Sequence, residues 1–194
     1  MKHSLRSLII RTTIGGAILL LVAVAVRSYA SPASPHSVFV WPTDGYLGYI
    51  YGRNGHNGLD IWTNTSGTGN EGSRGNPIYP PYVGTVTAYY YDPRGALQGL
   101  RIVHGNVNGT NTWTHYFHMA DEATGQSYVQ GGLLNQPVGL STFLGNQGDR
   151  IWNPGDQIVH LHLTVANGPQ DANAIDPSPY FDSALNWNDP NHVG

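Results

Sequence analysis

Apolar, aromatic and β-branched residues fall in short runs separated by Gly, Pro, Asn and Asp clusters. The runs are Val38–Trp41, Leu59–Trp62, Pro77–Tyr79, Val83–Tyr91, Leu100–Val103, Thr112–Met119 and Gln157–Val165. Runs of this length and composition predict strands bounded by turns. No long segment carries the period of an amphipathic helix. In the fourth run Thr85, Thr87 and Tyr89 alternate with Val86, Ala88 and Tyr90, the two-residue period of a strand with unlike faces. Thr63–Gly75 is polar and Gly-rich and reads as a loop, and Pro137–Pro154 reads as a second irregular region. Neither a tandem repeat nor an internal boundary interrupts the pattern. It predicts one all-β or β-rich domain with long loops.

The N-terminus has a different pattern. Lys2, Arg6 and Arg11 precede the apolar run Ile14–Val26, and Ser28-Tyr29-Ala30 follows it. A basic start, a short apolar stretch and small residues before a cut predict a secretory signal over residues 1–30, removed after Ala30. The alternative is a retained anchor through residues 8–26, nearly long enough to span a bilayer. Residues 31–37 then form a short linker, 38–182 the functional domain and 183–194 a C-terminal tail.

Composition narrows the chemistry. The 194 residues include 25 Gly and 13 Pro, which favours turns over a helical bundle. With no Cys, disulfides, thiolate nucleophiles and Cys-ligated metals are excluded, so any metal must use the 9 His and the carboxylates. Loss of residues 1–30 removes Lys2, Arg6, Arg11 and Arg27, leaving 5 basic against 12 acidic residues. No basic surface for nucleic acid remains, and none is expected as a partner.

The histidines sort by strand geometry. His160 and His162 sit two apart in Gln157–Val165 and so share a face, with Val159, Leu161 and Leu163 opposite. In His56-Asn57-Gly58-Leu59-Asp60 an extended chain puts His56, Gly58 and Asp60 on one face, and the absent side chain at 58 leaves room between two candidate ligands. In Thr112–Met119 the alternation puts Thr114, Tyr116 and His118 on one face and Trp113, His115 and Phe117 on the other. Tyr116 and His118 make the polar face suited to a reaction centre, which leaves His115 to packing or to the surface. His104 reads as a structural residue at a strand end.

In order, His-x-Gly-x-Asp, Tyr-x-His and His-x-His resemble the motifs of the lysostaphin-type (LytM-like) zinc metallopeptidases, which are peptidoglycan endopeptidases. Asn76-Pro-Ile-Tyr-Pro80 with Tyr82-Val-Gly-Thr-Val86, Leu100-Arg-Ile-Val-His-Gly105, and Ile175-Asp-Pro177 with Tyr180 resemble flanking stretches of that family. The resemblance runs from about Phe39 to Phe181. It implies an antiparallel sheet forming a groove with a metal on its floor. His56, Asp60 and His162 would ligate one Zn2+ per chain, and His118 and His160 would be the catalytic histidines. It also implies a secreted, monomeric endopeptidase acting on peptidoglycan peptides. Three differences stand out: Leu163-Thr164 follows the His-x-His pair where the family often has Phe-Glu, the approach to that pair over Gly145–Gln157 is longer, and the loop at Thr63–Gly75 is long. Loops that flank a groove set what fits, so the bond cut stays open. Two His and one carboxylate leave an open position, the catalytic rather than the structural arrangement for zinc. Tyr49 or Tyr51 is a further candidate donor to an oxyanion. Two other readings compete: a non-catalytic wall-binding or hydrolase-activating module of the same fold, and a carbohydrate-binding β domain using its 5 Trp and 12 Tyr.

Overall fold

A computed structural model describes residues 38–64, 74–153 and 156–181. The expected signal or anchor, the linker, the tail and most of the Thr63–Gly75 loop lie outside the described residues. Among the described residues ten strands are formed: β1 (Tyr46–Leu47), β2 (Leu59–Trp62), β3 (Pro77–Ile78), β4 (Gly84–Tyr91), β5 (Leu97–Val107), β6 (Thr110–Phe117), β7 (Pro137–Val138), β8 (Gly145–Asn146), β9 (Gly148–Asn153) and β10 (Asp156–Ala166). The main sheet runs β1-β2-β10-β6-β5-β4-β7, with β9 also pairing with β10, and β3 and β8 form a small second sheet. All pairings are antiparallel. The β-rich class expected from the run lengths is the class observed. Among the described residues no helix is long and apolar enough to cross a membrane.

One face of the sheet makes the core. Leu59 and Ile61 of β2, Leu161 and Leu163 of β10, Tyr116 of β6, Leu100 and Ile102 of β5 and Val86 of β4 are all buried there. Each aliphatic side chain buried this way contributes about 1.5–3 kcal/mol. Phe39, Ile78, Leu144 and Phe181 complete the cluster from the flanking segments. Val38–Trp41 is not a strand. Its amides at Val38 and Phe39 donate to the Tyr180 carbonyl at 3.1 and 2.8 Å, tying the two ends of the described domain together. Trp41 stacks on Phe181 at 4.8 Å between ring centroids. Pro137–Pro154 is not irregular throughout, since it holds β7, β8 and β9.

Two departures from simple alternation shape the opposite face. On β4 the register shifts between Val86 and Ala88: Val86 pairs with Ile102, Ala88 with Arg101, Tyr89 with Leu100 and Tyr90 with Gly99. A bulge adds one residue and reverses the faces beyond it. Val86 and Tyr89 therefore look to the core and Ala88 and Tyr90 away from it, not the grouping that strict alternation predicts. His104 lies inside β5 rather than at its end. Its ring joins Thr114 Oγ1 at 2.8 Å and the Val83 carbonyl at 2.9 Å, and burial pushes its pKa down to about 4.

Candidate metal centre

β10 lies between β2 and β6, and its register fixes what meets what. His162 is opposite Asp60 on β2 and opposite Phe117 on β6, and His160 is opposite Trp62. Directly opposed residues of an antiparallel pair point to the same face. One row of the non-core face therefore reads Phe117, His162, Asp60, and His160 stands on the neighbouring row. The alternation read from His160-Leu161-His162 is the one observed: Leu161 and Leu163 are fully buried on the core side.

His56 precedes β2 and turns its ring onto the same spot. His162 Nδ1 is 2.9 Å from Asp60 Oδ1, His56 Nε2 is 3.1 Å from the same oxygen, and the two ring nitrogens are 3.0 Å apart. Among the described residues, these three side chains form the one group of three or more candidate donors that converges tightly enough to hold an ion. A tetrahedral shell with metal–ligand distances of ~2.0–2.1 Å has edges of ~3.3 Å, close to this triangle. Side-chain exposures of 18% for His56, 9% for Asp60 and 12% for His162 leave the group sheltered but reachable.

The electrostatics call for a cation. The Ile50 carbonyl lies 3.2 Å from His56 Nδ1, so in the neutral ring that nitrogen carries the proton and Nε2 is a bare acceptor. Nε2 then faces the Asp60 oxygen, a second acceptor. A proton or a metal ion between them removes the conflict, and a divalent ion satisfies all three donors together. For the Asp60 carboxyl, burial works to raise the pKa, but hydrogen bonding with His162 and His56 and the charges of the His160 and His162 rings together hold the group ionised well below the usual range. For His56, burial works to lower the pKa, and Asp60 together with the backbone at Ile50 and Gly58 raises it above the ordinary value.

Gly58 has a specific role. A Cβ there would lie 2.6 Å from the Leu163 carbonyl oxygen and 2.9 Å from His162 Nε2. The room left by the missing side chain is thus occupied by the His162 ring, a refinement of the expected gap between His56 and Asp60.

His118 and His160 lie beside the triangle. Their ring centroids are 4.7 Å apart, and His118 is 5.9 Å from His162. His160 is 4% exposed, its Nδ1 is 3.2 Å from the Ile158 carbonyl and its Nε2 is 3.7 Å from Asp60 Oδ1. Burial lowers its pKa, so it is neutral near pH 7. The route by which His118 arrives corrects the face assignment made from alternation. Tyr116 pairs with Leu163 and is buried in the core, while His115 pairs with Thr164 and so shares the face of His160 and His162. Strict alternation would send residue 118 to the core side with Tyr116. Instead β6 ends at Phe117 and His118 takes φ 59°, the left-handed region. That single residue turns the imidazole back to the metal side. The turn is held by Gly148, whose amide donates to the His118 carbonyl at 2.6 Å, and by Met119, whose amide donates to Gln98 at 2.9 Å.

His115 shares the face but not the site. It is fully buried, bonded through Nδ1 to the Tyr90 hydroxyl at 2.6 Å and stacked near Phe117, and burial is the first cause pushing its pKa down to about 4. Tyr49 is 37% exposed with its ring 6.0 Å from His56, whereas the Tyr51 hydroxyl donates to Ala174 at 3.4 Å. A cavity of about 440 Å³ with His118 in its wall lies alongside, and Gln98, Asp121 and Asp149 line it. The sequence offers no role for two neighbours of the triangle, Phe117 and Thr164. Phe117 lies 5.8 Å from His162 and Tyr90 stacks on Phe117 at 4.8 Å, while Thr164 Oγ1 is 3.3 Å from His162 Nε2. Each is a consequence of register, which no single segment reveals.

No family model matches the chain, and no curated protein matches it. Among solved structures it is similar to a protein of Pseudomonas aeruginosa assigned to peptidase M23, at 20% identity and TM-score 0.48, over 78% of this chain and 53% of that one. It is similar to the catalytic domain of lysostaphin from Staphylococcus simulans, at 21% identity and TM-score 0.44, over 70% of this chain and 87% of that one. Csd3 of Helicobacter pylori is similar at 19% identity and TM-score 0.46, over 76% of this chain and 34% of that one. The match thus spans about half the length of the first of these proteins and about a third of the last.

Proposed function

We propose that this chain is a zinc metalloendopeptidase of the lysostaphin type, hydrolysing peptide bonds of bacterial cell-wall peptidoglycan. One observation carries the reading: three candidate ligand atoms 2.9–3.1 Å apart, with a second histidine pair directly beside them. His56, Asp60 and His162 would hold one zinc ion. When bound, zinc supplies a Lewis acid and a water whose pKa falls from 15.7 to about 7.

The remaining work falls to the protein. His160 Nδ1–H donates to the Ile158 carbonyl, which leaves Nε2 as the atom able to take a proton. Its lowered pKa keeps that lone pair free at neutral pH. His118, on the other side of the pair, lines the cavity where a substrate segment would lie. One of the two accepts the proton of the attacking water, and the other donates to the developing oxyanion or the leaving amine. Buried walls around the triangle keep bulk water from competing for Asp60.

The protein would act outside the cytoplasm as a monomer, after removal of residues 1–30 or held by residues 8–26. The test is mass spectrometry of purified peptidoglycan incubated with residues 31–194 and zinc. New amine termini within stem peptides or cross-bridges are expected. An intact wall with zinc bound to the protein would favour the wall-binding alternative.

A further inference from the structure

We infer that Thr164 is a positioning residue for His162, its hydroxyl holding the ring nitrogen that faces away from the metal; this rests on the zinc reading above. His162 reaches the triangle through Nδ1, so Nε2 must be satisfied elsewhere. On one side that edge of the ring is pressed against Gly58, where a Cβ would lie 2.9 Å from Nε2 and 3.0 Å from Cε1. On the other stands Thr164, fully buried, two residues along the same strand face, with Oγ1 3.3 Å from Nε2.

The two ring ligands are held differently. His56 is fixed by the Ile50 carbonyl, which can only accept, so Nδ1 keeps its proton whether or not a metal is present. His162 needs a partner that serves both states. Without metal, Nδ1–H can donate to Asp60 Oδ1 and to His56 Nε2, and Nε2 must then accept a hydrogen bond. With metal, Nδ1 must offer its lone pair, the proton resides on Nε2, and Nε2 must donate. A hydroxyl both donates and accepts, so Thr164 pairs with Nε2 in either case while the ring proton moves from one nitrogen to the other. No net proton is gained or lost by the ring. Neither a methyl group nor a carbonyl in that place could do both.

The test compares wild type, Thr164→Val and Thr164→Ser. Zinc affinity is measured by competition with a chromophoric chelator, and the His162 tautomer is read from the ring nitrogen shifts by NMR. The zinc-loaded wild type should show the Nε2–H tautomer at His162. Thr164→Val, which keeps the branched shape, should bind zinc about 10–100-fold more weakly, and Thr164→Ser should bind within a few-fold of wild type. Equal affinity in wild type and Thr164→Val, or Thr164→Ser as weak as Thr164→Val, would overturn the inference. So would an Nδ1–H tautomer in the loaded wild type, a reading that needs no variant to fold. A wild type that takes up no zinc would instead remove the metal reading on which the inference stands.

Discussion

β10 and the end of β6 each deliver a histidine pair, and they do so by opposite means. On β10, His160 and His162 stand two residues apart in regular strand, and pleating alone aims both rings at one face. At the end of β6, His115 and His118 are three residues apart, and regular strand would part them. Both stand on the face of the triangle, His118 only because the strand stops and one residue adopts a left-handed backbone, and of the two only His118 lies beside His160 and His162. That conformation costs roughly 1–2 kcal/mol for a residue with a Cβ. Regular strand thus supplies a proposed metal ligand, while a locally unfavourable backbone supplies a proposed catalytic group next to it. Strained backbone at such a place is maintained by its surroundings, here the hydrogen bonds to Gly148 and Gln98.

The largest expected effect separates these roles. His118→Asn removes the imidazole yet suits a positive φ, because Asn tolerates the left-handed region. It should retain zinc and lower the cleavage rate by about 10²–10⁴, as loss of a general acid–base group does. Steady-state rates with elemental analysis on the same sample check this. Near-normal cleavage would return His118 to a structural role.

Next comes Gly58→Ala, which tests the regular-strand side of the comparison. The new methyl meets the Leu163 carbonyl and the His162 ring, so the ligand must move. Zinc affinity should fall about 10–100-fold, the range seen when a ligand's support is lost. Calorimetric titration reads it.

His115→Ala should behave differently from either. His115 shares the sheet face but touches Tyr90 and Phe117, not the triangle. A stability loss of about 2 kcal/mol is expected from the cavity and the lost hydrogen bond, with zinc content and rate per folded molecule unchanged. Denaturant unfolding alongside activity would show it.

The last effect is absent at neutral pH and develops only in acid. His104 has a folded pKa of about 4 against ~6.5 when unfolded. Below pH ~6.5 the unfolded chain binds a proton that the folded one refuses, so its contribution to stability is complete above pH ~6.5. It is lost as pH falls toward 4, by up to ~1.4 kcal/mol per pH unit. His104→Gln should flatten the dependence of Tm on pH over that window relative to wild type. An unchanged slope would mean that the ring is not held neutral.

Much of this was legible in the sequence, and the exceptions have physical causes. Leu59–Trp62 was bounded to the residue, and the His160/His162 face followed from pleating, because both segments are regular and half their positions are unmistakably apolar. The space at Gly58 was legible from the missing side chain, though not that the His162 ring fills it. His118 was the right histidine to set beside the site, but its face was assigned the wrong way round. Tyr116 lies in the core, and a left-handed residue leaves no mark in composition when it is not glycine. The bulge at Val86–Ala88 likewise reversed an alternation that looks continuous in the sequence. β9 was concealed in a turn-rich stretch, since its pairing with β10 is a long-range fact. Thr164 shows in sequence only as a departure from the resembled motif, and its meaning comes from the ring it touches.

The most direct test of the account is the number of zinc ions bound per chain, by elemental analysis after chelator stripping and reloading, in wild type and in His162→Ala. The convergent triangle predicts one per chain in the wild type and background levels in the variant. No zinc in the wild type, or equal zinc in both, would contradict the claim that His56, Asp60 and His162 form the metal centre.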